Sequence, residues 1–228
     1  MSLPEEFKCV VTTWDYIYDL CRDVSREVKD SGFEPEVIVA LARGGWFAGR
    51  VLCDFLGLDD LESLKIEHYV GTAATKEGAE VKYPVADKAV KNKDVLLVDD
   101  ITDTGQSLIE ATNYLNEQNP SDYRTATLQY LQSSKADPDY IGEELDEWAW
   151  IIYPWNFIED MIDLIQQLMD KEDVERISKK EIRKGLKKYN QIDPLWFEIA
   201  QPDRLEEVLE EMEFRGILEK DGNEWVMC

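Results

Sequence analysis

The run Val95-Leu-Leu-Val-Asp-Asp-Ile-Thr-Asp-Thr-Gly-Gln-Ser107 constrains this chain more than any other stretch. Val95 to Val98 is a short continuous apolar run, which predicts a buried parallel strand. Asp99 and Asp100 stand at its end, and the polar loop that follows opens an apolar-periodic helix from about residue 105 to 118. Parallel sheets place ligands at the carboxyl ends of their strands. Gly105 lets the backbone come close to a phosphate, and Thr102, Thr104 and Ser107 offer hydroxyl donors. The unpaired backbone N–H groups of the helix start complete an anion site. Asp99 and Asp100, set one turn earlier, suit sugar hydroxyls or a metal ion. The plain alternative is a strand–turn–helix whose Asp and Thr residues only cap the helix.

The surrounding pattern repeats strand and helix. A helix is expected over 14–30, a strand at Val37–Leu41, a helix from Trp46 to Phe55 ending at Gly57, and a strand at Lys65–Val70. Residues 71–84 read as a mobile polar loop with a possible hairpin, carrying Lys76 and Lys82. Strands follow at Thr125–Leu131 and Trp150–Tyr153. This order predicts an α/β fold with a mostly parallel, doubly wound sheet over residues 1–160. Residues 161–228 read differently: helices at 161–169, 178–188 and from Pro202 through Glu213, then a hairpin turning at Asp221-Gly222. They are expected to form a small winged-helix-like α+β module.

After the second strand comes Leu41-Ala-Arg-Gly-Gly45. One guanidinium and two side-chain-free backbone positions, at Arg43, Gly44 and Gly45, suit a pyrophosphate. With the 95–107 run, this loop resembles the type I phosphoribosyltransferases, in particular the purine (xanthine, guanine, hypoxanthine) enzymes. The resemblance implies a phosphoribosyl pyrophosphate (PRPP) site made of Arg43, Gly44, Asp99, Asp100, Thr102, Asp103, Thr104, Gly105, Gln106 and Ser107. It implies Mg²⁺ as cofactor, with Asp99 and Asp100 as its candidate ligands. Arg43 and Asp103 would be the catalytic residues, Asp103 either taking the purine N7 proton or steadying the positive ribose electrostatically. In the oxopurine enzymes a Lys after the next strand donates to the 6-oxo group, and Lys135 stands in that place. Bacterial xanthine–guanine enzymes carry a Trp-Ile-x-x-Pro-Trp segment similar to Trp150-Ile-Ile-Tyr-Pro-Trp155, which implies stacking by Trp150 and a backbone contact from Ile151. Trp148 and Trp155 are expected in the core. The loop at 71–84 lacks the family's usual Ser-Tyr pair.

The implied activity is transfer of the 5-phosphoribosyl group from PRPP to a 6-oxopurine, releasing pyrophosphate, in purine salvage. Two other readings stay open: a PRPP-sensing regulator without turnover, and an enzyme for another base such as adenine. A formal charge of −24 disfavours nucleic-acid binding and places an anionic substrate in a repelling field. It also fits adaptation to high salt. The candidate recognition helix of the C-terminal module, Arg204 to Glu213, is itself acidic. A structural or oligomerising role is therefore expected there, in a homo-oligomer (dimer or tetramer). The basic run Arg176 to Lys188 would pair with the acidic N-terminal domain of the same or a neighbouring subunit. No apolar run approaches the ~20 residues that span a bilayer. Four scattered cysteines and one His argue against zinc or disulfides and for a cytoplasmic setting.

Overall fold

The computed structural model describes residues 6–69 and 78–228. In chain order the elements are β1 (Cys9–Val11), α1 (Trp14–Ser31), β2 (Val37–Leu41), α2 (Gly45–Leu56), β3 (Leu61–Tyr69), β4 (Gly78–Tyr83), β5 (Asp94–Thr102), α3 (Gln106–Gln118), β6 (Asp122–Leu131), β7 (Tyr140–Leu145) and β8 (Trp150–Ile152). There follow α4 (Phe157–Glu172), β9 (Arg176–Ser178), α5 (Lys179–Asn190), α6 (Pro194–Ala200), α7 (Arg204–Phe214), β10 (Leu218–Asp221) and β11 (Glu224–Met227). They pack as two units: Asp15–Trp148, and the residues through Trp14 together with Ala149–Cys228. The packing boundary thus falls about ten residues before the sequence-based one at 160.

The Asp15–Trp148 unit is α/β. Its six-stranded sheet has the order β4-β3-β2-β5-β6-β7, parallel throughout except for β4, which runs antiparallel to β3. Every residue of β2 is buried, as is Val95 to Val98 of β5. Strands without an exposed side must be covered on both faces. On one face Val37, Val39, Val95 and Leu97 pack with Leu108, Ala111 and Leu115 of α3. On the other lie α2 and α1. A Cβ on Gly49 of α2 would come within 2.9 Å of the Ala40 Cβ, so the helix lies close to the strand. Tyr18 of α1 meets Phe55 of α2 with ring centroids 5.1 Å apart. Under α1, the Tyr16 hydroxyl donates to Glu143, and the Gln129 amide donates to Tyr16 at 3.0 Å and to Glu143 at 2.8 Å. Burial and the Glu143 charge push the Tyr16 hydroxyl pKa up.

Several elements differ from the sequence reading. Residues 78–83, within the stretch read as a loop with a possible hairpin, form β4, antiparallel to β3 with Glu67 opposite Glu80. β5 runs on through Thr102, so the two carboxylates lie within the strand. β7 is an additional edge strand, paired with β6. Trp150–Ile152 does not join the main sheet. It pairs in parallel with β1, Cys9 opposite Trp150 and Val11 opposite Ile152.

The other unit holds that two-stranded ladder, α4 to α7, and a three-stranded antiparallel sheet of order β10-β11-β9. Its core includes Phe157, Met161, Ile165, Ile182, Leu186, Val208, Leu209 and Trp225. Ser178 starts α5 through a capping box with Glu181, and Asp193 with Pro194 starts α6. The hairpin turn is Gly222-Asn223 rather than Asp221-Gly222, because Asp221 pairs with Glu224 and Gly222 takes the positive φ of 65°. Among the described residues, cations of α5 pair within this unit: Lys179 with Glu206, Arg183 with Glu198 and Lys188 with Glu172. No helix among the described residues is long and apolar enough to cross a membrane.

Candidate active site

The ends of β2, β5 and β6 lie side by side in the sheet and carry three loops. The end of β5 and the loop after it are organised by their own carboxylates. The Asp100 amide donates to Asp99 Oδ1 at 3.0 Å, and the Ile101 amide to Asp100 Oδ1 at 3.1 Å. Burial, reinforced by the Asp100 charge, pushes the Asp99 carboxyl well above the ordinary carboxylate range. Two carboxylates held together in this way are a poor arrangement unless cations or hydroxyl donors join them. Asp103 accepts from the Thr104 amide, and the Gln106 amide meets Thr104 Oγ1 at 3.4 Å. Gly105 turns the chain with φ of 77° and, as the residue before α3, has no side chain to cap it. The start of a helix is a position where backbone N–H groups and the helix dipole favour an anion. Thr102 Oγ1 is buried and has no hydrogen-bond partner among the described residues.

The loop after β2 lies against the carboxylates of β5. The Ala42–Arg43 peptide is cis. A Cβ on Gly44 would overlap the Asp100 carboxylate, and one on Gly45 would come within 2.7 Å of the Val98 carbonyl oxygen. The pair of glycines is thus a packing requirement, and it sets the exposed Arg43 beside the acidic strand end. One guanidinium beside two carboxylates and a helix start can hold a ligand with several phosphate and hydroxyl groups.

The loop after β6 closes over the β5 loop. The Lys135 amide donates to the Thr104 carbonyl at 3.2 Å. A Cβ on Gly105 would come within 2.6 Å of Ser134 Oγ and of the Ala136 amide nitrogen. Ser134 Oγ in turn accepts from the Ala136 amide at 3.2 Å. Lys135 is thereby joined to the phosphate-type loop through backbone contacts. The sequence reading missed Ser134 and Ala136. The one available signal was Gly105, whose lack of a side chain implies a close neighbour.

Arg43, Gly44, Asp99, Asp100, Thr102 to Ser107 and Lys135 all belong to the Asp15–Trp148 unit. Trp150 and Ile151 lie on β8 of the other unit. Trp150 is 37% exposed and Ile151 is buried. Trp155 stacks on Tyr153 at 4.7 Å, whereas Trp148, expected in the core, is 42% exposed. Lys82 lies on β4 and pairs with Glu67 at 2.6 Å. Lys76 and the rest of 71–77 lie outside the described residues.

Among the described residues no group of three or more His, Cys, Asp or Glu side chains could hold a metal. Asp99 and Asp100 supply hard oxygen donors of the kind Mg²⁺ takes, and Mg²⁺ is commonly bound by one or two carboxylates with substrate phosphates and waters. The donor set fits Mg²⁺ on those terms.

Over 138 residues the chain is 29% identical to the hypoxanthine-guanine phosphoribosyltransferase of Aquifex aeolicus, covering 55% of this chain and 77% of that one. Over 113 residues it is 28% identical to the hypoxanthine phosphoribosyltransferase of Salmonella typhimurium, spanning 62% of that protein's length and 49% of its own. The crystal structure of a purine phosphoribosyltransferase from Pyrococcus horikoshii superposes with a TM-score of 0.57 at 25% identity, covering 65% of this chain and 93% of that one. Residues 11–158, which include all three loops and β8, match the model of the phosphoribosyl transferase domain. The chain belongs to the phosphoribosyl transferase family and resembles its type I purine members.

Proposed function

We propose that the chain transfers the 5-phosphoribosyl group of PRPP to a 6-oxopurine (xanthine, guanine or hypoxanthine) and releases pyrophosphate. The observation that carries the reading is the joining of three loops: Gly44 against Asp100, and Lys135 hydrogen-bonded to Thr104. Thr102, Thr104, Gly105, Gln106 and Ser107 would hold the 5-phosphate with the donors at the start of α3. Asp99 and Asp100 would accept from the ribose hydroxyls or ligate Mg²⁺. Arg43, with the Gly44 backbone, grips the leaving pyrophosphate. Mg²⁺, when bound, supplies positive charge at the phosphate oxygens.

In the transfer a purine nitrogen forms the bond to ribose C1 as the bond from C1 to the pyrophosphate oxygen breaks. Positive charge develops on the ribose and negative charge on the leaving group. Arg43 stabilises the departing charge. Asp103 either takes the proton that the base loses from N7 or stabilises the ribose cation. Lys135 donates to the 6-oxo acceptor, Trp150 stacks on the base and the Ile151 backbone meets its edge. A Lys at this position opposes the amino group of adenine. Purine salvage, a cytoplasmic setting, a homo-oligomer and a winged-helix-like C-terminal module with a structural role belong to the same reading.

The test is incubation of the full chain with PRPP, Mg²⁺ and each of hypoxanthine, guanine, xanthine and adenine, with pyrophosphate as readout. Release with an oxopurine supports the proposal. PRPP binding without release favours a sensor, and release with adenine alone overturns the role of Lys135.

A further inference from the structure

The segment Arg176–Lys188 is strongly cationic in a chain of net charge −24. Most of that charge is neutralised close by. Arg176 pairs with Asp221 at 2.8 Å and Glu224 at 3.0 Å, Arg183 with Glu198 at 2.9 Å, Lys187 with Asp193 at 3.6 Å and Lys188 with Glu172 at 2.9 Å. Lys179 pairs with Glu206. Lys180 and Lys184 have no ion-pair partner among the described residues.

Lys184 also lines a cavity of about 420 Å³ between α4, β9 and α5. Leu168, Val174 and Ile177 give it apolar walls, and Gly185 contributes only backbone. The two carboxylates at its edge are already engaged. Glu172 accepts from Lys188 and from the Tyr189 hydroxyl, and Glu181 accepts from the Ser178 amide at 2.8 Å and its hydroxyl at 2.6 Å. Among the described residues Lys184 is therefore the one lining charge without a hydrogen bond or close ion pair, its charge acting at longer range on Glu172 and Glu181.

We infer that this cavity binds a small organic anion, one carboxylate, sulfonate or phosphate group on an apolar body, with the anionic group on Lys184. Its size lies in the range of small-molecule pockets, roughly 300–1,000 Å³. A bare inorganic anion would leave the apolar wall at Val174 in contact with water. A neutral apolar molecule would gain nothing from Lys184. A cation would meet a rim whose carboxylates are already paired.

The probe is 8-anilinonaphthalene-1-sulfonate, an aromatic monoanion that fluoresces on leaving water, titrated into the full chain. A single saturable site is expected. Lys184→Glu should weaken it about tenfold or more, because an attraction at contact becomes a repulsion. Lys180→Glu makes the same charge change one helical turn away, outside the cavity, and should alter affinity less than about twofold, as expected of a screened surface charge. Val174→Trp, which fills the cavity, should abolish the site. Both lysines are exposed, so neither substitution threatens folding. Absence of a saturable site overturns the inference. So does equal binding by wild type and Lys184→Glu, equal weakening by the two lysine variants, or binding that survives Val174→Trp.

Discussion

Gly44 lies directly against the Asp100 carboxylate, with no room for a methyl group between them. The contact locks the loop after β2 to the acidic end of β5. Gly44→Ala must displace one or the other. Overpacking of this kind costs about 1–3 kcal/mol of stability, which urea unfolding will measure. A shift of about 1 Å in the catalytic geometry costs about 10²-fold in kcat/KM, which steady-state kinetics will measure.

Lys135 is expected to act on the base alone. Loss of a hydrogen bond from a charged donor costs about 1.5–3 kcal/mol, so Lys135→Ala should raise KM for the oxopurine by about 10- to 100-fold. PRPP affinity, read by calorimetry, should stay unchanged. Gly105→Ala is a sharper perturbation, since it adds a side chain at positive φ and drives it into Ser134 and Ala136. It should weaken PRPP and base together.

Asp103 is exposed and accepts from the neighbouring Thr104 amide. Asp103→Asn keeps that acceptor and removes the charge. The expected result is a fall in kcat of about 10²–10⁴-fold with little change in PRPP binding. Loss of the acidic limb of the pH–rate profile in the variant would mark proton transfer. A uniform drop at all pH values would mark electrostatic stabilisation.

Asp99 is expected to destabilise the metal-free fold at neutral pH. Its folded pKa is raised above the unfolded value, so the folded state holds the proton more tightly. Stability then falls as pH rises from the ordinary carboxylate pKa through the raised one. Asp99→Asn, neutral at every pH, should raise Tm in chelator-containing buffer at pH 7 and flatten its dependence on pH above 4. Differential scanning calorimetry checks both. PRPP binding should be lost in the same variant.

All four cysteines are free thiols, with Cys9, Cys21 and Cys53 buried and Cys228 exposed. Burial pushes the Cys9 and Cys21 thiols up to about 12 and raises Cys53 as well. At pH 8 the native chain should release one equivalent of thionitrobenzoate rapidly from Ellman's reagent, and guanidinium should expose the other three.

The strand-loop-helix at 95–107 was legible because its signals agree: a fully apolar strand, a glycine at positive φ and a periodic helix. Val37–Leu41 was legible for the same reason. β7 was not, because Tyr140-Ile-Gly-Glu-Glu-Leu145 has glycine and two glutamates, and its strand form depends on pairing with β6. β8 was legible as a strand, but its partner β1 was not, because the three residues of β1 pair with it across about 140 residues of chain. The seven-residue α6 is too short to show a period, although Asp193-Pro194 marks its start. The chemistry-bearing side chains proposed for the site come from the sequence. The contacts that hold them, Gly44 on Asp100 and Ser134 over Gly105, join loops far apart in the chain and leave only a glycine as their trace.

The most direct measurement is the product. The full chain, incubated with PRPP, Mg²⁺ and an oxopurine, should yield the corresponding nucleoside 5′-monophosphate by mass spectrometry, one for each pyrophosphate released. Pyrophosphate without nucleotide, or bound PRPP that no purine converts, would contradict the account.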